Sequence, residues 1–138
     1  MIVLDTNVIS EVSRPRPSAR VLDWMRSEPL TALFTTAITE GELRYGLALM
    51  AEGRRQRELE AVITAILDED LGGRILPFDS SAAREFAGIA AMRRHAGKPI
   101  SEPDARIAAI TRSRGAALAT RNTADFADCG LTIINPWL

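Results

Sequence analysis

Cysteine, histidine and lysine are nearly missing from this 138-residue chain: Cys129, His95 and Lys98 are each the single example of their kind. One cysteine leaves no internal disulfide and no cysteine-rich zinc site, and one histidine leaves no spacing for a histidine metal site. A mechanism that needs an essential lysine has Lys98 as its only candidate. No stretch approaches the ~20 consecutive apolar residues of a membrane span, and Met1-Ile2-Val3-Leu4-Asp5 lacks the basic start and long apolar centre of a signal peptide. No membrane association and a cytoplasmic location are therefore expected. Charge of one sign is also lacking. The 18 acidic and 17 basic residues give a net charge of −1, which excludes a generally basic nucleic-acid coat and a polybasic membrane anchor. A local basic patch stays open.

What is present fits one domain, residues 1–138, because 100–150 residues is the commonest domain size. Short apolar runs alternate with segments of helical period. Ile2-Val3-Leu4, Leu33-Phe34-Thr35, Arg74-Ile75-Leu76, Ala116–Ala119 and Leu131–Ile134 read as strands. Helices are expected from a Ser18 cap to before Pro29, from about Ala37 to Met50, from about Arg54 to Leu71, from Asp79 or Ser80 to about His95, and from near Pro103 to Arg114. Parallel neighbours need crossover connections, so strands alternating with helices imply an α/β fold. Its short, mostly parallel central sheet would be covered by helices on both faces. Residues 37–71 are long enough for a helical hairpin, a surface suited to dimerisation.

Ligands of open α/β sheets bind beyond the carboxyl ends of the strands, so the acids at those edges are the candidates. Asp5 follows the first strand, Glu42 lies in the helix after the second, Asp104 opens the helix before the fourth, and Asp125 lies just beyond it. Glu42 shares a stripe with Ile38, Tyr45 and Leu49, a largely apolar row that should turn its carboxylate toward the body of the protein. Glu40 instead falls in phase with Arg44 as a solvated ion pair. Asp104 shares its face with Ile107 and Ala108. Simpler readings exist for each: a turn at Asp5, a first-turn acid at Asp104, a cap or turn at Asp125, and a buried pair with arginine at Glu42. Asp79 is assigned to capping.

Carboxylates converging in a partly dehydrated cleft repel unless their pKa values rise or a cation relieves them. With no His or Cys cluster, an all-oxygen ligand set selects Mg²⁺, with Mn²⁺ as a substitute. Such an ion lowers the pKa of a water and bridges phosphodiester oxygens. Thr6, Asn7, Thr120 and Asn122 add neutral hydrogen-bonding groups at the same edge, where they would orient ligating carboxylates.

Ile2-Val3-Leu4-Asp5-Thr6-Asn7-Val8-Ile9-Ser10 resembles the opening of PIN-domain ribonucleases. Glu42 in Thr39-Glu40-Gly41-Glu42-Leu43, Asp104 in Pro103-Asp104-Ala105-Arg106-Ile107-Ala108-Ala109 and the segment Ala119–Phe126 match the later motifs in order. Gly73–Asp79 and the closing Asn135-Pro136-Trp137 resemble the FitB branch of VapC-type toxins. The resemblance implies a PIN-like fold and a Mg²⁺-dependent endoribonuclease, the toxin of a type II toxin–antitoxin pair. It further implies a homodimer inhibited by a small VapB-type antitoxin, with operator DNA bound only through the antitoxin complex. Asp5, Glu42 and Asp104 carry over as metal-coordinating acids. Asp125 is taken as the fourth, assisted by Asn122 and Thr120, because relatives carry the fourth acid at either position. Arg14, Arg16, Arg54, Arg55 and Arg121 are candidates for the RNA backbone.

Two other classes fit parts of the same sequence. Asp5 after a first strand suits an aspartyl-phosphate phosphatase or phosphotransferase, which would prefer a second acid near Asn7 and a positioned lysine. A non-catalytic module could use the acids to engage an arginine-rich partner.

Overall fold

The computed structural model describes all of residues 1–138. Five strands, β1 (Ile2–Leu4), β2 (Leu33–Thr36), β3 (Ile75–Leu76), β4 (Ala117–Ala119) and β5 (Ile133–Ile134), form one parallel sheet in the order β3-β2-β1-β4-β5. Six helices connect them: α1 (Thr6–Val12), α2 (Ala19–Ser27), α3 (Ala37–Leu49), α4 (Arg54–Thr64), α5 (Ser80–His95) and α6 (Glu102–Ser113). Side chains alternate across a strand, and adjacent strand residues accordingly enter different cores. Val3 and Leu118 join Ile89, Ile107, Ile110 and Phe126 under α5 and α6. Leu4 and Ala119 join Val8, Val21, Leu43, Ile63 and Leu67 under α1–α4. Burial on both faces explains why these strands are continuous apolar runs.

The strand order sets the position of the site. From β1 the chain builds outward through β2 to β3, then returns to place β4 on the other side of β1. The order therefore reverses between β1 and β4, and the crevice beyond their carboxyl ends is the natural ligand position. The Asp5 N–H donates to Ala119 O at 3.0 Å and the Thr120 N–H to Ile134 O at 2.9 Å. The residues following β1 and β4 thus begin from one hydrogen-bonded edge.

Helix α1 is an addition to the sequence expectation. Thr6-Asn7-Val8-Ile9-Ser10-Glu11-Val12 is rich in β-branched residues, which lower helix propensity. Tertiary packing overrides this: Asp5 caps the helix, Val8 and Ile9 are fully buried, and the Ser13 hydroxyl donates to Ile9 O at 2.6 Å at the other end. The segment from Arg54 does run to Leu71, but its last stretch, Ala65–Asp70, widens to π-helical turns with Leu71 N donating to Ile66 O at 2.8 Å. Gly72 then passes so close to that turn that a Cβ would stand 2.6 Å from Asp68 O. β3 and β5 are shorter than the apolar runs that contain them, because the paired registers reach only Ile75–Leu76 and Ile133–Ile134. The helical hairpin is present. Leu43, Leu47, Ile63 and Leu67 seat α3 and α4 on the sheet, leaving the hairpin tip and the first turns of α4 exposed. No helix is long and apolar enough to cross a membrane.

The long connection after β4 contains a short 3₁₀ turn (Thr123–Phe126) and is pinned by two arginines. Arg93, buried on α5, donates from Nη1 to Asp125 O at 2.9 Å and Ala127 O at 3.1 Å, and from Nε to Lys98 O at 2.7 Å. Arg112 on α6 donates to Cys129 O at 3.2 Å. A buried guanidinium serving carbonyls leaves several groups orphaned when it is removed, each charge-assisted bond being worth roughly 1.5–3 kcal/mol. Arg93→Met is expected to lower the unfolding free energy by about 3 kcal/mol, and Arg93→Lys, which restores one donor group, by less. Urea unfolding followed by circular dichroism measures both; equal stability of all three proteins would contradict the assignment.

Candidate active site

The cleft beyond β1 and β4 has a volume of about 340 Å³ and a polar lining that includes Asp5, Glu42, Asp104, Asn122, Arg14 and Arg121. Asp5 lies at its floor, 3% exposed. Its Oδ1 accepts the Thr6 N–H at 2.8 Å, and its Oδ2 accepts from the Thr120 hydroxyl at 2.8 Å and from Asn7 Nδ2 at 3.2 Å. Three of the four expected supporting residues therefore hold one carboxylate directly. The fourth, Asn122, lines the cleft and is anchored through its N–H to the Thr120 hydroxyl at 3.0 Å.

Glu42 reaches the cleft by another route than its stripe suggested. Tyr45 and Leu49 on that stripe are 66% and 68% exposed, and Glu42 is exposed with them. The row of α3 that enters the core is Thr39, Leu43 and Leu47. Two overlapping apolar rows were available, and the sheet takes the one headed by Thr39. Glu42 is instead tethered by the Thr6 hydroxyl, which donates to Oε1 at 2.9 Å and lies 3.1 Å from the Thr39 hydroxyl. Thr39 is thus a supporting residue that sequence reading missed. A threonine on the buried row, three residues after the Thr36 cap of α3, was the available signal. Glu40 pairs with Arg44 at 3.0 Å, as expected of a solvated pair.

Asp104 stands in the first turn of α6, where Ser101 caps its N–H at 3.3 Å, and it is half-buried above Ile107 and Ala108. Asp125 is exposed in the 3₁₀ turn and falls outside the cleft lining, which Asn122 occupies from the same segment. Its charge nonetheless bears on Asp104. Glu11 is a further acid of the cleft, and it already has partners: the Ser18 N–H at 3.1 Å and Arg14 at 3.6 Å.

Of the basic candidates, Arg14 and Arg121 line the cleft. Arg55 lines a neighbouring hollow that also includes Arg14 and Ser10. Arg54 pairs with Glu58 at 2.8 Å on exposed α4, and Arg16 is exposed outside both cavities.

Burial pushes the Asp5 carboxyl up to about 6 against its ordinary 3.8, even though the Thr120 and Thr6 bonds oppose the shift; the charges of Asp104 and Glu42 add to it. Asp104 is also raised, by burial first and by Asp125 in addition, against the bond with Ser101. A cation beside these acids would relieve both shifts. No three acidic, histidine or cysteine side chains stand close enough to enclose one. Yet the donor set is all oxygen, and Mg²⁺ characteristically keeps several waters and binds through one or two carboxylates. Asp5 and Asp104 therefore fit such an ion without a closed protein cage.

The model of the PIN domain family matches residues 2–130. The chain belongs to the PIN-domain family. Among curated relatives, the PIN-domain chain is similar to a VapC ribonuclease of Sinorhizobium fredii, 43% identical over 137 residues that cover 99% of this chain and 98% of that one. It is also similar to Toxin FitB of Neisseria gonorrhoeae, 39% identical over 137 residues and 99% of each. A solved structure of FitAB bound to a DNA fragment superposes on this PIN domain with a TM-score of 0.93 at 38% identity, over 100% of this chain and 96% of that one.

The raised Asp5 carboxyl makes the metal-free PIN domain sensitive to pH. The fold retains the Asp5 proton up to about pH 6, while the unfolded chain releases it near 3.8. Rising pH through that window therefore removes about 3 kcal/mol of stability, the 2.2-unit difference at ~1.36 kcal/mol per unit. Asp5→Asn lacks this loss and is expected to become the more stable protein above pH 6 in a chelating buffer. Thermal unfolding of the pair between pH 4 and 8 reads it directly; parallel profiles would show that Asp5 ionises as it does in water.

Proposed function

We propose that this PIN domain is a Mg²⁺-dependent endoribonuclease and the toxin of a VapBC-type toxin–antitoxin pair. The observation that carries the reading is Asp5: a buried carboxylate with a raised pKa, held by three donors at the strand-order reversal, with Glu42 and Asp104 bearing on it. The likeness to a VapC ribonuclease supplies RNA as the substrate class.

Asp5 and Asp104 would hold the ion and Glu42 would complete the site, while Asp125, outside the cleft lining with its charge bearing on Asp104, would serve a second ion. A bound Mg²⁺ supplies charge neutralisation for a phosphodiester and acidifies water. The residues themselves fix the geometry. Thr120, Asn7 and the Thr6 N–H leave Asp5 one orientation, and Thr6 holds Glu42 over the cleft. Arg14 and Arg121 place cations on the walls, where an RNA backbone needs them. Water attacks phosphorus in line and gives up a proton to solvent as the phosphorus–ribose oxygen bond breaks, and the departing oxygen takes up a proton from solvent. The aspartyl-phosphate alternative lacks its lysine: Lys98 sits in the loop between α5 and α6 and does not line the cleft.

RNA incubated with the purified protein is expected to be cut with Mg²⁺ or Mn²⁺ and left intact in EDTA. Asp5→Asn is expected to abolish cutting, and Thr120→Val, which removes a donor to Asp5 together with the acceptor of the Asn7 amide and the Asn122 N–H, to slow it roughly 10- to 100-fold. Undiminished cleavage in EDTA, or by Asp5→Asn, would falsify the mechanism.

The partner reading rests on the FitAB likeness and on an apolar hollow of about 590 Å³ lined by residues including Leu22, Met25, Leu30, Leu33, Val62 and Ile66. That hollow shares Val12 and Val62 with the Arg55 hollow, which in turn shares Ser10 and Arg14 with the cleft. A cognate antitoxin segment seated along this path would close the active site, and operator DNA would be bound through the complex. We assign homodimerisation to the helical hairpin, where the exposed Tyr45 and Leu49 of α3 offer an apolar face. A Tyr45→Glu/Leu49→Glu protein should therefore sediment as a monomer while the parent sediments as a dimer; two identical profiles would place the interface elsewhere.

A further inference from the structure

Trp137 is the single apolar residue lining the acidic cleft, and the hydrolytic reading gives it no task. Local structure places it there. β5 ends at Ile134, hydrogen-bonded to Thr120, so the closing residues emerge beside the segment that follows β4. They form a turn in which the Leu138 N–H donates to Asn135 O at 3.2 Å. Pro136, buried, occupies the second turn position that its fixed φ favours. The Asn135 side chain accepts the Trp137 N–H at 3.0 Å. The indole is partly buried against the core layer of Leu4, Val8 and Ala119.

Arg121 completes the arrangement. Its guanidinium carbon lies 5.2 Å from the Trp137 ring centroid, inside the ~6 Å range of a cation–π contact. The Arg121 backbone N–H donates to Asn7 Oδ1 at 3.3 Å, and Asn7 also donates to Asp5. A hydrogen-bonded chain of two links therefore connects the buried acid to the backbone of the arginine whose guanidinium stacks on the indole. Phosphate recognition alone needs only the cation. A guanidinium held against an indole presents flat π surface as well, and unpaired bases stack on aromatic rings and on arginine planes.

We propose that Trp137 and Arg121 form a subsite for one unpaired nucleobase beside the phosphodiester that lies over Asp5 and Asp104. The subsite rests on the RNA-substrate reading, but it is tested without cleavage. The chain has two tryptophans, Trp24 and Trp137, so Trp24→Phe leaves Trp137 as sole reporter. In an Asp5→Asn background, a single-stranded oligoribonucleotide is expected to quench Trp137 emission saturably, and an abasic oligomer of equal length to quench it little and bind about tenfold more weakly. By anisotropy of the labelled oligoribonucleotide, Trp137→Ala should weaken binding about tenfold, Trp137→Phe should retain most of it, and the abasic oligomer should not distinguish the three. Equal binding of the two oligomers, no binding of either, or an unaffected Trp137→Ala protein overturns the subsite. Those results would leave Mg²⁺-dependent cutting by the parent protein standing. Base-dependent quenching without any cutting would do the reverse.

Discussion

A carboxylate taken out of water at the end of a parallel strand must be paired, hydrogen-bonded or protonated, and Asp5 organises the molecule around that requirement. It does not recruit an arginine. Three neutral donors meet it instead: the first free N–H of α1, the hydroxyl that follows β4, and the side-chain amide of the second residue of α1. These bonds offset only part of the burial cost, and so the proton stays on up to about pH 6. The residual need for positive charge is the most informative property of the fold. A purely structural aspartate cap gains nothing from remaining under-compensated, whereas the cation site proposed for it would depend on that.

Topology explains why the donors come from distant parts of the chain. Asn7 and Thr120 are 113 residues apart, yet both touch Asp5 because β1 and β4 are neighbours and the strand order reverses between them. Glu42 enters from the β2 side through Thr6, and Asp104 from α6 on the opposite face. Asp5 and Asp104 therefore sit at helix starts and Glu42 in the body of α3, tied by the Thr6 hydroxyl, and none depends on a long loop. The segment after β4 is the exception, and it is the one that the buried Arg93 clamps by its carbonyls. A cation serves there as scaffolding, leaving side chains such as Asp125 free to face outward.

Much of this was legible in the sequence because the signals were local. Apolar runs marked all five strands, and Ser18, the Asp79–Ser80 pair and Pro103 marked three helix starts, the Ser101 cap before Pro103 having gone unread. The positions of Asp5, Glu42 and Asp104 followed from the rule that ligands gather at carboxyl ends of strands. What escaped was settled by packing. α1 has poor helical propensity and exists because Val8 and Ile9 have a core to enter. The outward turn of Tyr45 and Leu49 was hidden because α3 carries two apolar rows, and periodicity cannot tell which one meets a sheet. Asn122 takes the place in the cleft lining expected of Asp125 because the Thr120 hydroxyl holds its N–H and the 3₁₀ turn then carries Asp125 past the opening.

Near-neutral net charge has a different meaning once positions are known. The 18 acids and 17 bases nearly cancel over the whole surface, but the cleft lining gathers four acids, Asp5, Glu11, Glu42 and Asp104, against Arg14 and Arg121. Arg14 is partly spent on Glu11, and Arg121 is turned onto Trp137. On the proposed reading, an RNA would meet excess negative charge at this cleft alone. A divalent ion would cancel that excess, because its two charges and the two arginines balance the four acids. Ion and polyanion would then bind as a unit, each reducing the cost of the other. A partner that inserts its own cation among the same acids would satisfy Asp5 equally well while leaving no room for phosphate. In the proposed nuclease, one under-compensated carboxylate would serve both catalysis and its restraint, because both states answer the same electrostatic demand.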